Sequence, residues 1–375
     1  MEQNPTKPIK LLFVFGTRPE AIKLAPIIKE ALKSPEKFTP IVALTAQHRS
    51  MLDQVMELFE ISPNFDLDIM TERQSLCQLT ARLVSGLDKV VEKSNPDWVI
   101  VQGDTTSAMV GGMVSFYHRV KIAHVEAGLR TYNLFQPYPE EFNRRVIDIV
   151  ADLYFAPTQA SADNLLAEKI EAERVVVTGN TVVDALVDIA QRKTRPSRED
   201  ISAILDKKGG HVLITAHRRE SFGEPFEQLC SAIRCLAEKF PDRDFVYPVH
   251  LNPNVQEPVN KILGDLGNVH LLPPLDYLSF VYVLKSAALV LTDSGGVQEE
   301  APTFGVPVLV MRETTERPEG VDAGFACLVG TNPNDIISHA EEILSGKGVV
   351  SLEGLPNPYG DGNAASRILE SLSSV

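Results

Sequence analysis

The sequence predicts an α/β protein made of two doubly wound, Rossmann-like domains, with a ligand cleft expected between them. Three observations carry that expectation. Short runs rich in Val, Ile and Leu alternate with longer stretches of helical period, the βα repeat of a parallel sheet. The runs are apolar almost throughout, as strands covered by helices on both faces must be. A chain of 375 residues, at ~150 residues per domain, has room for at least two cores.

Strands are expected at 10–15, 40–44, 98–102, 121–125, 153–156 and 174–177. The polar stretch 191–210 then breaks the pattern, and 181–210 reads as the domain junction. A second series follows at 211–215, 244–249, 269–272, 288–291, 306–310 and 325–329. The expected domains are therefore 1–180 and 181–360, with an amphipathic helix in 361–375 that packs back on the first domain. In open α/β sheets ligands sit outside the carboxyl ends of the strands, so the chemistry is sought there.

Composition removes several classes of function. Lys plus Arg total 36 against 50 Asp plus Glu, a net charge of -14, which argues against coating nucleic acid or an anionic membrane. Any anionic ligand must meet a local basic cluster. With 44% hydrophobic and 23% charged residues, the chain reads as an ordinary globular protein. The first ten positions are polar and carry Pro5 and Pro8, and the apolar run 11–15 is too short for a signal-peptide core. No apolar run approaches the roughly 18 to 20 residues that span a bilayer; Lys285 interrupts even 280–292. The cysteines, Cys77, Cys230, Cys235 and Cys327, form no CxxC pair and have no adjacent His, so no metal site is expected. They read as reduced thiols of a cytoplasmic protein.

Motifs follow at the strand ends. After the first strand, Thr17 and Glu20 form a T-x-x-E capping box and Pro19 suits the first helical turn. Arg18 and Lys23 have no such role near a helix N-terminus, where added cations are favourable only with an anion, which points to phosphate. Asp104 and Glu126 end adjacent strand segments and form a candidate acid/base pair, although a helix cap also accounts for Asp104. Glu140 and Glu141 begin a proline-marked helix, where dipole complementarity accounts for one of them. His217 is followed by Arg218 and Arg219, a cluster that is costly without an anion. Ser294, Gly295 and Gly296 open a helix directly after a strand, a turn whose bare N–H groups suit phosphate; Glu300 lies further along and can accept from ribose hydroxyls. Arg312 and Arg317 add positive charge after the next strand. The segment 360–365 fits G-x-G-x-x-A, but no strand precedes it, so a dinucleotide fingerprint is not expected there; Walker, HExxH and GxSxG motifs are absent from the sequence.

FGTRPEAIK at 15–23, TAQHR at 45–49, GDTT at 103–106, HVEAGLRT at 124–131, HRRE at 217–220, YPVHLNPNV at 247–255, TDSGGVQEEAP at 292–302 and RETTERPE at 312–319 occur in this order along nearly the whole chain. Taken together they resemble the bacterial non-hydrolysing UDP-N-acetylglucosamine 2-epimerase family. The resemblance implies a glycosyltransferase-B arrangement, a homodimer, and interconversion of UDP-GlcNAc and UDP-ManNAc for envelope polysaccharide synthesis without a metal or redox cofactor. It implies Asp104, Glu126, Glu140 and His217 as the catalytic group. It implies Arg18, Lys23, Phe280, Ser294, Gly295, Gly296, Glu300 and Arg317 as the UDP site. Gln47, His48, Arg73, Arg218 and His250 match positions that line a second, regulatory UDP-GlcNAc site. A hydrolysing epimerase releasing ManNAc and UDP, a sugar transferase of the same fold, and a silent sugar-nucleotide sensor are the alternatives.

Overall fold

The computed structural model describes all residues except 1–6, 46–48, 72, 73, 193, 197, 208, 219–221, 347–351, 353 and 375, with only the backbone described at 49 and 50. The chain divides into two compact units, Met1–Ala185 with Gly360–Val375, and Leu186–Tyr359. The first division falls inside the helix Thr181–Gln191.

In the first unit, β1 (Ile9–Phe15), β2 (Phe38–Leu44), β3 (Phe65–Asp66), β4 (Trp98–Gln102), β5 (Lys121–Val125), β6 (Leu153–Ala156) and β7 (Val175–Val177) form one parallel sheet, in the order β3-β2-β1-β4-β5-β6-β7. Strand residues alternate between faces. Leu12 and Val14 of β1 and Val99 and Val101 of β4 join Leu83, Leu87, Val110 and Val114 of the covering helices in one buried cluster. The unforeseen strand is β3. It is two residues long, pairing only with Ala43 and Leu44, and so leaves no apolar run to read.

The second unit carries β8 (His211–Thr215), β9 (Phe245–Pro248), β10 (Val269–Leu272), β11 (Ala287–Thr292), β12 (Val308–Val310) and β13 (Ala326–Leu328), again parallel, in the order β10-β9-β8-β11-β12-β13. Its faces separate cleanly. Val212, Ile214, Leu289 and Leu291 point into one cluster, while Leu213 and Val290 point into the other. Every strand expected from the sequence forms. The expected 306–310 shortens to β12, because Pro307 has no N–H for the ladder.

The polar stretch 191–210 is not all irregular, for Glu199–Leu205 is helical and buries Ile201 and Ile204. At the other end of the chain, the helix Ala364–Ser373 packs on Arg18–Leu32 of the first unit. Asp184 Oδ1 accepts the Ala365 N–H at 2.9 Å, capping that helix from the first unit. Arg367 donates to the Thr178 carbonyl at 2.9 Å.

Candidate functional site

In the first sheet the strand order reverses between β1 and β4, so the loops after these strands diverge and leave the crevice where ligands collect in this fold. Glu20 ties the two loops together. It is buried, and its Oε2 accepts the Gly16 N–H at 3.0 Å and the Thr17 N–H and hydroxyl, each at 2.8 Å. Its Oε1 accepts the Thr105 hydroxyl across the crevice at 2.5 Å. Burial raises the Glu20 pKa, and the hydrogen bonds from Thr105, Gly16 and Thr17 offset only part of that rise. The capping box read from the sequence is thus also the brace that sets Arg18 and Asp104 on facing loops.

Asp104 follows β4, and Glu126 follows β5, its neighbour in the sheet. Asn143 donates to the Asp104 carbonyl at 2.9 Å, and Arg144 donates to Asp104 Oδ2 at 2.5 Å. Both donors lie on the helix Glu140–Val150, whose first residue is the half-buried Glu140. Glu126 adopts φ of 65°, a left-handed conformation that non-glycine residues rarely hold, and such strain gathers where side-chain direction matters. Lys23 donates to Glu126 Oε2 at 2.5 Å, and Gln102 at the end of β4 donates to the same oxygen. Gly128 completes this turn: at φ of 90° an added Cβ would stand 2.1 Å from the Ser161 carbonyl oxygen, so only glycine fits.

A buried charged chain backs the loop. His124 has no exposed surface, and its Nε2 and Nδ1 reach the Gly103 carbonyl at 2.7 Å and Asp148 Oδ1 at 2.6 Å. Arg130 joins Asp148 Oδ2 at 2.7 Å to Glu168 at 2.8 Å. Burial pushes Asp148 up, but the His124 ring and the Arg130 guanidinium outweigh it and hold the carboxyl below the usual range. This chain fixes the Gly103 carbonyl beside Asp104.

The second sheet reverses between β8 and β11. Here the buried acid Asp293 accepts the backbone N–H groups of both His217 and Arg218, each at 2.7 Å. The His217 ring stacks on the His250 ring, centroids 5.3 Å apart and 7° from parallel. Beyond Asp293, Ser294 opens the helix Gly295–Glu300, and its hydroxyl makes no capping bond. The Ser294 carbonyl accepts from Gln298 Nε2 at 3.1 Å, and Gln298 Oε1 accepts the Thr315 hydroxyl at 2.6 Å, which ties this turn to the loop carrying Arg317. Arg317 itself donates to Glu299 at 2.8 Å and Glu316 at 2.9 Å. Its guanidinium lies 3.3 Å from where a Cβ at position 295 would stand, so Gly295 permits that close approach.

Arg18, Lys23, Asp104, Glu126 and Glu140 therefore gather at the carboxyl edge of the first sheet. His217, Arg218, His250, Ser294, Gly295, Gly296, Glu300 and Arg317 lie at that edge of the second. Phe280, in the helix Tyr277–Lys285 that follows β10, is half-buried against the core. Gln47, His48 and Arg73 fall outside the described residues. Sequence reading missed the supporting residues Gln102, Arg144, Asp293 and Gln298, and gave Glu20 only its local role. Gln102, closing an otherwise apolar strand, and Asp293, following one, carried the available signals. Among the described residues no cluster of His, Cys, Asp and Glu could hold a metal ion, and no helix is long and apolar enough to cross a membrane.

A family model described as UDP-N-acetylglucosamine 2-epimerase matches residues 30–373. The UDP-N-acetylglucosamine 2-epimerase of Yersinia pestis is 50% identical over 372 residues, covering 98% of this chain and 99% of that protein. Among solved structures, the UDP-GlcNAc 2-epimerase of Neisseria meningitidis bound to UDP-GlcNAc superposes with a TM-score of 0.88 at 45% identity, covering 98% of this chain and 100% of that one. The Methanocaldococcus jannaschii UDP-GlcNAc 2-epimerase in complex with UDP-GlcNAc and UDP gives a TM-score of 0.81 at 33% identity, covering 98% and 100%. Motifs, fold and relatives agree: this chain belongs to the UDP-N-acetylglucosamine 2-epimerase family.

Proposed function

We propose that the protein interconverts UDP-GlcNAc and UDP-ManNAc reversibly, without hydrolysis, in the cytoplasm and in supply of envelope polysaccharide. The C2 hydrogen of the sugar is not next to a ring carbonyl, so direct deprotonation is too costly. Elimination avoids that cost: a base removes the C2 proton, the C1–O bond breaks with its electrons leaving on UDP, and 2-acetamidoglucal remains. UDP then adds back at C1 while C2 is protonated on the other face. Neither step changes oxidation state overall, so no nicotinamide is needed. In the first unit Asp104, Glu126 and Glu140 serve as the acid/base groups, with Arg18 and Lys23 providing charge for the diphosphate. In the second unit His217 joins the chemistry, while Phe280, Ser294, Gly295, Gly296, Glu300 and Arg317 hold UDP.

The observation that carries the reading is the pairing of acids with cations at one strand edge, Glu126 with Lys23 and Asp104 with Arg144, each at 2.5 Å. Such pairs keep carboxylates in place for proton transfer. Product analysis by NMR of UDP-GlcNAc incubated with the protein alone is the test. The expected result is UDP-ManNAc approaching a fixed ratio from either side. Early stoichiometric release of free ManNAc and UDP would assign the hydrolysing branch, and no reaction without a sugar acceptor would favour a transferase.

The reading includes a homodimer. Phe116 and Tyr117, 56% and 69% exposed, and Ile149, 81% exposed, line one surface region of the first unit together with Arg119, Lys121, Asp152 and Arg174, and large exposed apolar side chains among charged ones are what subunit contacts cover. Light scattering should find a dimer that Ile149→Asp dissociates; a wild-type monomer refutes this part. It also includes the regulatory UDP-GlcNAc site at Gln47, His48, Arg73, Arg218 and His250, a second ligand that favours one state of the protein through differential contacts. Starting from pure UDP-ManNAc, a trace of UDP-GlcNAc should then activate the reaction, and hyperbolic kinetics with no response to the trace would remove the site.

A further inference from the structure

Asp293 does more in this structure than any sequence motif assigns to it. It follows β11 with 1% of its surface exposed. Its own N–H donates to the Thr215 carbonyl at the end of β8, 3.0 Å away. In return Oδ2 takes the N–H groups of His217 and Arg218, so the carboxylate clasps the turn that carries His217. The other oxygen is different. Oδ1 is buried and has no hydrogen-bond partner among the described residues. A carboxylate oxygen left in that state is costly, more so than a neutral acceptor, and it exerts a strong pull on any donor within reach.

Among the described residues a donor stands close to it. His217 Nδ1 stands 3.8 Å from Oδ1, somewhat beyond hydrogen-bond distance, on a side chain that is 44% exposed. The His250 ring lies flat against the His217 ring and limits its tilt. His250 Nδ1 accepts the Asn252 N–H at 3.1 Å, which holds that ring in place. A small adjustment of the His217 side chain closes the gap to Asp293 without breaking the two backbone bonds.

We propose that Asp293 is the positioning residue for His217, its buried Oδ1 taking the Nδ1 hydrogen so that Nε2, on the opposite edge of the ring, faces the sugar nucleotide. The inference rests on the reading that His217 acts in the reaction. It adds the tautomer and the nitrogen. When Nε2 accepts a proton the resulting imidazolium is stabilised by the same oxygen.

The test uses the full-length protein and reads the tautomer directly. Heteronuclear NMR of the imidazole nitrogens, with the His217 signal assigned through H217Q, should find the neutral ring carrying its hydrogen on Nδ1. In D293N the amide oxygen keeps both backbone bonds and the amide nitrogen donates to Nδ1, so the hydrogen moves to Nε2. Turnover of D293N should fall by about 10²-fold or more, with KM within about threefold of wild type. The double variant D293N/H217Q should be no slower than H217Q, because the two residues act as one unit. A wild-type ring with its hydrogen on Nε2, or losses that multiply in the double variant, would overturn the proposal. If D293N does not fold, the wild-type spectrum decides alone. Wild-type turnover in H217Q would instead remove the reading that His217 acts in the reaction, an outcome distinguishable because the spectrum still reports the Asp293 pairing.

Discussion

The two sheets reverse their strand order in the same way, yet their carboxyl edges are built differently. At the first, side-chain carboxylates meet side-chain cations: Lys23 on Glu126 and Arg144 on Asp104, with Glu20 bracing the loops that carry them. At the second, Arg317 is likewise paired with Glu299 and Glu316, but the Asp293 carboxylate is spent on backbone amides, those of His217 and Arg218, and the next turn begins with Ser294, Gly295 and Gly296. The first arrangement sets titratable groups at fixed positions. The second shapes main chain. Proton transfer needs the former, and backbone N–H groups such as the latter presents suit a diphosphate; in the proposed function Arg18 and Lys23 add charge for the diphosphate from the first edge, and His217 joins the proton transfer from the second.

Substitutions that separate the two edges sharpen this contrast, and the largest effect is expected at the first. Glu126→Gln and Asp104→Asn should each lower kcat by about 10²-fold or more, the low end for a lost acid/base group, while UDP affinity by calorimetry stays within about threefold. Unchanged turnover in both would place the chemistry elsewhere. Next in size, Ser294→Ala at the second edge and Arg18→Ala at the first should weaken UDP binding by about 1–3 kcal/mol, the range for a charge-assisted contact. A kcat loss in Ser294→Ala with UDP affinity preserved would blur the distinction between the edges.

The smallest effects are on stability, and two carboxyls of the first unit should respond to pH in opposite directions. Asp148 is held below the ordinary range, so its contribution is present above the unfolded carboxylate pKa of about 3.9 and is lost as pH falls through its folded value. Glu20 is raised, so its contribution is present below about 4.3, the unfolded value, and is lost as pH rises through the folded one. In melting experiments across the acid range, the gap between wild type and Asp148→Asn should therefore widen with rising pH, and the gap for Glu20→Gln should narrow. Parallel trends would mean that the burial and pairing of these groups have been misjudged.

The architecture was legible because its cause is local. A strand covered on both faces must be apolar along its length, so β1, β4, β8 and β11 announced themselves, and the βα alternation followed. β3 did not, since two residues carry no pattern. Candidate acids were legible for a similar reason: Asp104 and Glu126 end apolar runs, and the carboxyl end of a parallel strand is where this fold exposes function. Their partners were not. Asp293 reaches the His217 amide across 76 positions and Lys23 reaches Glu126 across 103, and nothing in either segment alone specifies the other. Glu20 illustrates the limit, for the capping box accounted for its local bonds and so concealed the Thr105 contact across the crevice.

Whether these edges divide the work as argued is tested most directly by running the reaction in deuterated water and following C2 of both UDP-sugars by NMR. A proton removed by a carboxyl group exchanges with solvent before its return, so deuterium should enter C2 of the UDP-ManNAc formed from UDP-GlcNAc, and Glu126→Gln should slow that entry in step with epimerisation. Epimerised product that retains its original C2 hydrogen would contradict the acid/base role assigned to the first edge and the elimination route with it.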